Sequence, residues 1–161
     1  MVEPRKQMRG EAIRSLLPMV KHSKHTVPAG LGHLIALRAS VLNDCKACIA
    51  THRRDARADG LTHDRILAAE DWTNHKAEFT GQERAVLALT DAITHIDGYD
   101  SVPDELWHAA VSHFGDEGTH DLVVSICAIN AFNRVSIATR TDPQQVKGTT
   151  EFDLDFSARW C

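Results

Sequence analysis

One short stretch decides how this chain is interpreted: Asn43-Asp44-Cys45-Lys46-Ala47-Cys48-Ile49-Ala50-Thr51-His52. Two residues separate its cysteines, and three more separate the second cysteine from a histidine. In a helix, Cys45, Cys48 and His52 occupy positions i, i+3 and i+7, so their side chains share one face. The spacing therefore predicts two thiols and an imidazole brought together by local structure alone.

The flanking residues support a helix. Asn43 or Asp44 is a suitable N-cap, and Gly60 is a suitable left-handed terminator. Thiols in the first helical turn are biased towards thiolate by the free amide groups and the helix dipole. A histidine one turn after Cys48 can accept its proton, so the stretch predicts a redox-active dithiol.

Composition sets the class of protein. The chain has 161 residues, enough for one domain with its own core. Its net charge of −4 makes nucleic acid and anionic membranes poor partners. No apolar run approaches the length of a membrane span, and residues 1–10 lack the apolar core of a signal peptide, so we predict a cytoplasmic location.

Apolar residues recur at about 3.6 positions throughout, which predicts an all-α, single-domain helical bundle of about six to seven helices. A first amphipathic helix is expected over residues 11–20, where Pro18 should bend it or end it early, and the polar residues 21–26 are expected to be a linker. The expected organisation is an N-terminal helix and linker (1–26), a core domain (27–141) and a C-terminal tail (142–161).

Later segments carry clear helix signals. Thr62 can cap a short helix, Thr80 and Glu83 have the spacing of a capping box, and Pro103 suits the first turn of another helix. The last long helix, roughly residues 117–139, is apolar almost all round, so we expect Cys127 to be a buried, inert thiol. Such wide apolar faces also favour packing between subunits. Cys161 is given no role.

Three interpretations of the Cys-x-x-Cys stretch compete. They are a dithiol that reacts with peroxides or disulfides, a zinc site, and two core cysteines beside an unrelated histidine. A structural zinc site needs a second close-spaced ligand pair. The nearest candidate, His22 and His25, lies in the expected linker, which makes zinc less favoured.

Residues 27–140 resemble the carboxymuconolactone decarboxylase superfamily, in particular its alkyl hydroperoxidase D-like branch. The residues that carry the resemblance are Leu37-Arg38-Ala39-Ser40, Asn43, Cys45, Cys48, His52, Ala56-Arg57, Gly60, Phe79-Thr80, Glu83-Arg84-Ala85, Leu87-Ala88-Leu89, Val102-Pro103-Asp104-Glu105 and Ala128-Ile129-Asn130-Ala131-Phe132-Asn133-Arg134.

The resemblance implies an all-helical fold that assembles as trimers or hexamers, and a hydroperoxide reductase activity. It implies that Cys48 attacks the peroxide, that Cys45 resolves the product, and that His52 and a glutamate twelve residues before the first cysteine relay the proton. Position in the first turn would by itself favour Cys45 as the nucleophile, whereas proximity to His52 favours Cys48. We adopt Cys48.

The chain departs from the family pattern at the relay position, which holds His33 instead of glutamate. His33 either takes over the role of the relay glutamate or is a partly buried histidine without a role. It also completes a set of two cysteines and two histidines, which makes the zinc-site interpretation somewhat more favoured. Ala47 stands where the best-known member has a further histidine. Asp44 stands where glycine is common, and its charge should raise the pKa of the Cys45 thiol.

The predicted catalytic residues are thus Cys48, Cys45, His52 and His33, with no metal and no bound cofactor. The predicted partners are an organic hydroperoxide and an external dithiol reductant, either a protein or a small molecule. Two alternatives remain: a non-enzymatic zinc- or redox-binding module, and a lactone decarboxylase, whose branch does not rely on a Cys-x-x-Cys pair.

Overall fold

The computed structural model describes residue 5 and residues 11–157, and every regular element in this part of the chain is helical. The predicted all-α fold is confirmed. The α-helices are α1 (Glu11–Arg14), α2 (Leu17–Thr26), α3 (Ala29–Leu42), α4 (Lys46–Ala58), α5 (His63–Glu70), α6 (Gly81–Thr94), α7 (Asp104–Thr139) and α8 (Glu151–Leu154). Short 3-10 helices cover Lys76–Glu78 and Pro143–Gln145.

Helix α3 lies at the centre of the fold and packs against α4, α5, α6 and α7. Its sequence is apolar on nearly every side, which is typical of a helix enclosed by other helices. Leu34, Ile35 and Leu37 are almost fully buried in the same core as Ile66, Leu87, Leu89 and Ile126. Because α4 follows α3 after a three-residue turn, this central helix fixes where the dithiol stands.

The capping signals in the sequence act as predicted. The Thr80 hydroxyl accepts a hydrogen bond from the Glu83 amide, and the Glu83 carboxylate accepts one from the Thr80 amide. Thr62 likewise caps α5 by accepting from the Arg65 amide. Each motif is local, so its residues suffice to begin the helix.

The N-terminal prediction was wrong in one respect. Residues 21–26 are not a linker but the second half of α2, and Pro18 stands in the first turn of that helix instead of ending one. Proline is tolerated there because the first-turn amides have no partner within the helix. The helix is held in place by packing along α7, including a 2.6 Å contact between His22 Nε2 and Asp121 Oδ1.

Helix α7 combines two predicted helices across Gly115, whose φ of 68° and ψ of 178° break the helical geometry. By length and composition it is the one helix in the described residues that could cross a membrane, contrary to the expectation from the sequence. It packs against α2, α3 and α6, however, and core helices meet the same criterion. We therefore interpret α7 as a core helix.

Cys127 is exposed, so the expectation of a buried thiol was wrong. Ile126 and Ile129 face the core, and a helix rotates by about 100° per residue, which turns Cys127 away from the side that Ile126 occupies. Cys161 lies outside the described residues.

Candidate active site

The turn between α3 and α4 brings the dithiol to the start of a helix without any linker. The Asp44 amide donates to the Val41 carbonyl and the Cys45 amide donates to the Ser40 carbonyl, at 2.9 and 3.0 Å. With Asp44 at a φ of 49°, this is the Schellman arrangement that closes a helix. Asn43 and Asp44 thus end α3, and the N-cap of α4 is Cys45, not either of the two predicted residues.

The left-handed conformation of Asp44 also explains why glycine suits this position, because glycine adopts a positive φ without steric cost. The Asn43 side chain stabilises the turn through two hydrogen bonds. Its side-chain amide donates to the Ala39 carbonyl at 2.8 Å and to Asn130 Oδ1 of α7 at 2.9 Å. The turn is therefore held both by α3 and by the core helix.

Cys45 and Cys48 are joined by a disulfide, with their Cα atoms 5.2 Å apart. That separation lies within the usual range for bonded cysteines. Both residues are nearly buried, with exposed fractions of 2% and 6%. The pair can therefore exist as a dithiol or as a disulfide, and only a small oxidant or a docked thiol can reach it.

His52 stands one turn after Cys48 on α4, and only a small part of the residue is exposed. Burial lowers its pKa from 6.5 to about 4; the Asp55 carboxylate opposes this shift, while His33 and Arg54 add to it. The imidazole is therefore uncharged at neutral pH and has a free lone pair that can accept a proton.

His33 lies on α3, which packs against α4, and it is one of the groups that lower the pKa of His52. Its Nε2 atom is 2.8 Å from Oδ2 of Asp59, the residue that ends α4. The His33 side chain is only 14% exposed, whereas that of Asp59 is 61% exposed. The structure thus places His33 near His52, and adds a carboxylate that was not predicted.

The sequence spacing places Asp59 on the same helix face as Cys48 and His52. Cys48, His52, Asp55 and Asp59 follow one another at intervals of four, three and four residues, which is the repeat of one helix face. Polar residues at this spacing usually form a solvated face, so the pattern by itself does not predict a contact with His33.

The four predicted donors Cys45, Cys48, His33 and His52 do not form a metal cluster. Within residue 5 and residues 11–157, no group of three or more cysteine, histidine or carboxylate side chains could hold a metal ion. His22, which belongs to the nearest candidate ligand pair in the sequence, contacts Asp121 instead. This geometry does not support the zinc interpretation.

Helix α4 is held from its other side by a buried ion pair. Arg53 donates twice to the Glu70 carboxylate, at 2.6 Å each, and the two side chains are 3% and 0% exposed. Burial raises the pKa of Glu70, and the Arg53 guanidinium opposes that shift. Arg53 also donates to the carbonyls of Phe152 and Asp155. The residue after His52 therefore ties the site helix to α5 and to the C-terminal segment.

The C-terminal segment, predicted as a tail, packs on α4 through its two short helices. Arg57 contacts the fully buried carboxylate of Asp153 at 2.9 Å, which helps to keep the pKa of Asp153 below its usual value despite its burial. Phe152 stacks on His63 with ring centroids 3.8 Å apart. These contacts fix the end of α4 from which Asp59 projects.

Other polar residues singled out in the sequence have structural partners. Arg38 contacts Asp91 of α6 at 2.6 Å, as expected for an ion pair between helices. Arg134 donates to Oδ1 of Asn130, and Ser40 donates to Oδ1 of Asn133. The Arg38 and Ser40 contacts join α3 to α6 and α7, the Arg134 contact lies within α7, and none of them is part of the predicted chemistry.

A surface cavity of about 450 Å³ lies between α6 and the start of α7. Trp72, Asp91 and His95 are among its lining residues, and none of the four predicted catalytic residues is. Asp91 is already engaged by Arg38 and by the Trp72 indole. The cavity is therefore separate from the dithiol.

Comparison with known proteins shows the family to which the chain belongs. The model of the carboxymuconolactone decarboxylase family matches residues 12–92, and the chain belongs to that family. It is 37% identical, over 129 residues, to the uncharacterized protein YdfG of Bacillus subtilis (strain 168), a match that covers 80% of this chain and 86% of that protein.

A crystal structure from Agrobacterium tumefaciens has the same fold, with a TM-score of 0.76 and 32% identity over 82% of this chain and 90% of that one. That molecule is described as a protein of unknown function and a candidate antioxidant defence protein AhpD. Together with the family match, this confirms the alkyl hydroperoxidase D-like branch and its all-helical fold.

Proposed function

We propose that the protein is a thiol-dependent peroxidase that reduces organic hydroperoxides through Cys45 and Cys48. The observation that carries the proposal is the bonded cysteine pair at the start of α4, with an uncharged histidine one turn away. A disulfide at this place is the product that such a reaction would leave. Membership of the family supports an antioxidant role in general terms.

The proposed reaction begins with the reduced pair. His52 takes the proton from Cys48, and the resulting thiolate attacks the terminal oxygen of the hydroperoxide. The O–O bond breaks, the alkoxide leaves with the relayed proton as an alcohol, and Cys48 becomes a sulfenic acid, oxidised by two electrons. Cys45 then attacks the Cys48 sulfur, the S–O bond breaks, and water leaves as the disulfide forms.

The disulfide returns to the dithiol by exchange with an external dithiol, which supplies two electrons and two protons. This chain therefore needs a reductant but no bound cofactor for the proposed cycle. Because that exchange requires a reducing compartment, we propose a cytoplasmic location.

Thiol counting tests the reaction class. The parent is the Cys127→Ser, Cys161→Ser variant, fully reduced, which leaves only the pair. One equivalent of cumene hydroperoxide should remove both thiols and link Cys45 to Cys48. Cys48→Ser in this parent should lose no thiol, whereas Cys45→Ser should stop at a sulfenic acid that dimedone traps. Unchanged thiols in the parent would exclude the peroxidase.

The lactone decarboxylase activity after which the family is named is the alternative. No group in the described site favours it over the dithiol reaction, and a decarboxylase would keep its activity in Cys45→Ser and Cys48→Ser. Carbon dioxide release from a γ-carboxymuconolactone by either variant would favour the decarboxylase.

We also propose that the chain self-associates as a trimer or hexamer. Large apolar side chains remain exposed on the subunit, among them Leu17 and Ile137, and Cys127 is exposed on the same helix as Ile137. Sedimentation analysis should give the trimeric or hexameric mass, and Ile137→Asp should reduce it. A monomeric mass for the unaltered protein would contradict this proposal.

A further inference from the structure

The contact between His33 and Asp59 joins α3 to the C-terminal end of α4, the helix that begins at the dithiol. Nε2 of His33 and Oδ2 of Asp59 are 2.8 Å apart, although the residues are separated by 26 positions in sequence. An ionised carboxylate can only accept a hydrogen bond. Nε2 must therefore carry a hydrogen, and in the neutral ring Nδ1 keeps the lone pair. The contact fixes both the tautomer and the ring position.

This arrangement makes Nδ1 the atom of His33 that can receive a proton. When it does so, the ring becomes an imidazolium that is hydrogen-bonded to a carboxylate. The same logic applies wherever a buried carboxylate orients a catalytic histidine and stabilises its charged form. Here most of the Asp59 side chain is exposed, so the effect of its charge on His33 is smaller than in a closed site.

His52 needs such a neighbour. Its pKa of about 4 makes it a poor final acceptor for a thiol proton, because an ordinary thiol has a pKa of about 8.5. His52 can pass the proton on but cannot hold it at neutral pH. His33 is among the groups that lower the pKa of His52, and α3 packs against α4, so the two imidazoles are neighbours.

We propose that Asp59 is a positioning residue for the thiol chemistry: it holds His33 so that the His33 ring takes the Cys48 proton that His52 passes on. The inference rests on the proposed function for its role in catalysis, but it concerns the formation of the thiolate, which can be measured without a peroxide.

The other charges around this stretch do not substitute for Asp59. Asp55 is the carboxylate whose charge raises the pKa of His52, and it is engaged by Arg54, whose Nε and Nη2 lie 2.8 and 2.6 Å from Oδ1. The two charges oppose one another near His52. Asp59 is thus the carboxylate that the described structure places on His33.

The experiment measures the alkylation of Cys48 by iodoacetamide between pH 5.5 and 9. The parent is the reduced Cys45→Ser, Cys127→Ser, Cys161→Ser protein, in which Cys48 is the remaining thiol. Asp59→Asn should move the midpoint of the profile to higher pH and slow alkylation at pH 7 by about two- to five-fold, in line with a partly exposed ion pair. Asp59→Glu should restore the profile.

Asp121→Asn is the matched control, because it removes the carboxylate from another histidine contact, that of His22, on α7. It should leave the profile unchanged. His33→Asn should reproduce the shift of Asp59→Asn, and the double variant should add nothing to His33→Asn. The His33→Asn variant tests the proposed relay if Asp59→Asn folds poorly. An unchanged profile in His33→Asn, or a loss that is uniform at every pH, would overturn the inference.

Peroxide reduction by the Cys127→Ser, Cys161→Ser protein separates this inference from the proposed function. If cumene hydroperoxide is not reduced but Asp59→Asn shifts the alkylation profile, the peroxidase proposal fails and the relay stands. If the peroxide is reduced and the profile does not respond to either His33→Asn or Asp59→Asn, the relay fails and the peroxidase stands.

Discussion

Acid should destabilise this protein through His52, and the size of the effect follows from its pKa. The folded state holds the imidazole at a pKa of about 4, whereas the unfolded chain has the ordinary value of 6.5. Between these values the unfolded state binds a proton that the folded state does not. The contribution of His52 to stability is therefore complete above pH 6.5 and is lost as the pH falls towards 4.

The magnitude can be worked out from these two values. One pKa unit corresponds to about 1.4 kcal/mol, so the full difference amounts to roughly 3 kcal/mol. Integration from pH 7 to pH 5 gives a loss of about 2 kcal/mol from this one residue. A domain that is stable by about 5–15 kcal/mol would show such a change clearly.

Urea denaturation of the disulfide form at pH 7 and pH 5 measures this loss. Carboxylates and other histidines also titrate, so the comparison is with His52→Gln, which removes the imidazole whose pKa burial lowers. The decrease in free energy of unfolding should be about 2 kcal/mol smaller in His52→Gln than in the unaltered protein. His25→Gln, at an exposed position on α2, is the control and should not differ. Equal decreases in His52→Gln and the unaltered protein would refute the reasoning.

Three further substitutions test how the site helix and its supports are built. Arg53→Met leaves Glu70 as an unpaired buried carboxylate and should lower the free energy of unfolding by about 3–5 kcal/mol; Arg53→Met with Glu70→Gln should recover part of that loss in urea denaturation, and a single-variant cost below about 1 kcal/mol would contradict the role of the pair. Asp44→Gly should raise stability by roughly 1 kcal/mol by removing a left-handed non-glycine residue, whereas a lower melting temperature would show that the carboxylate contributes more than the strain costs. Gly115→Ala should cost about 1–3 kcal/mol, because its φ and ψ are nearly exclusive to glycine; Gly32→Ala, in a regular helix with open space around the added Cβ, should instead gain about 0.5–1 kcal/mol, and a loss in both would refute the backbone explanation.

Most of the fold could be predicted from local sequence patterns. The capping box of Thr80 and Glu83, the N-cap of Thr62 and the terminator Gly60 are each decided by residues within one turn of one another. The proximity of Cys45 and Cys48 is also local, because a helix start fixes it. Such features could be predicted because no distant contact is needed to form them.

The sequence is ambiguous where α3 ends and α4 begins. Asn43 and Asp44 have the side chains of N-caps, yet they close α3, and Cys45 begins α4 immediately afterwards. The sequence contains no separate signal for these two roles, since a left-handed Asp and an N-capping Asp are the same residue type. Only the course of the backbone decides between them.

The contacts that complete the site join residues far apart in the chain. His33 and Asp59 are 26 positions apart, and Arg53 and Asp155 are 102 apart. Whether such pairs meet depends on the angles at which helices pack and on where the C-terminal segment docks. No single helix face encodes these, so Asp59 and Arg53 could be noticed as polar residues but not assigned partners.

The position of the carboxylate has a consequence for the thiolate. The relay glutamate implied by the family resemblance would place a negative charge at position 33, where the side chain is only 14% exposed. In this protein the residue there is a histidine, and the charge stands on Asp59, which is 61% exposed. A negative charge near a buried thiol opposes its ionisation, and solvent and salt weaken that opposition at an exposed site. In the proposed relay, the exposed Asp59 therefore opposes the Cys48 thiolate less than a carboxylate at position 33 would, and its net effect comes through the His33 ring that it positions to receive the proton.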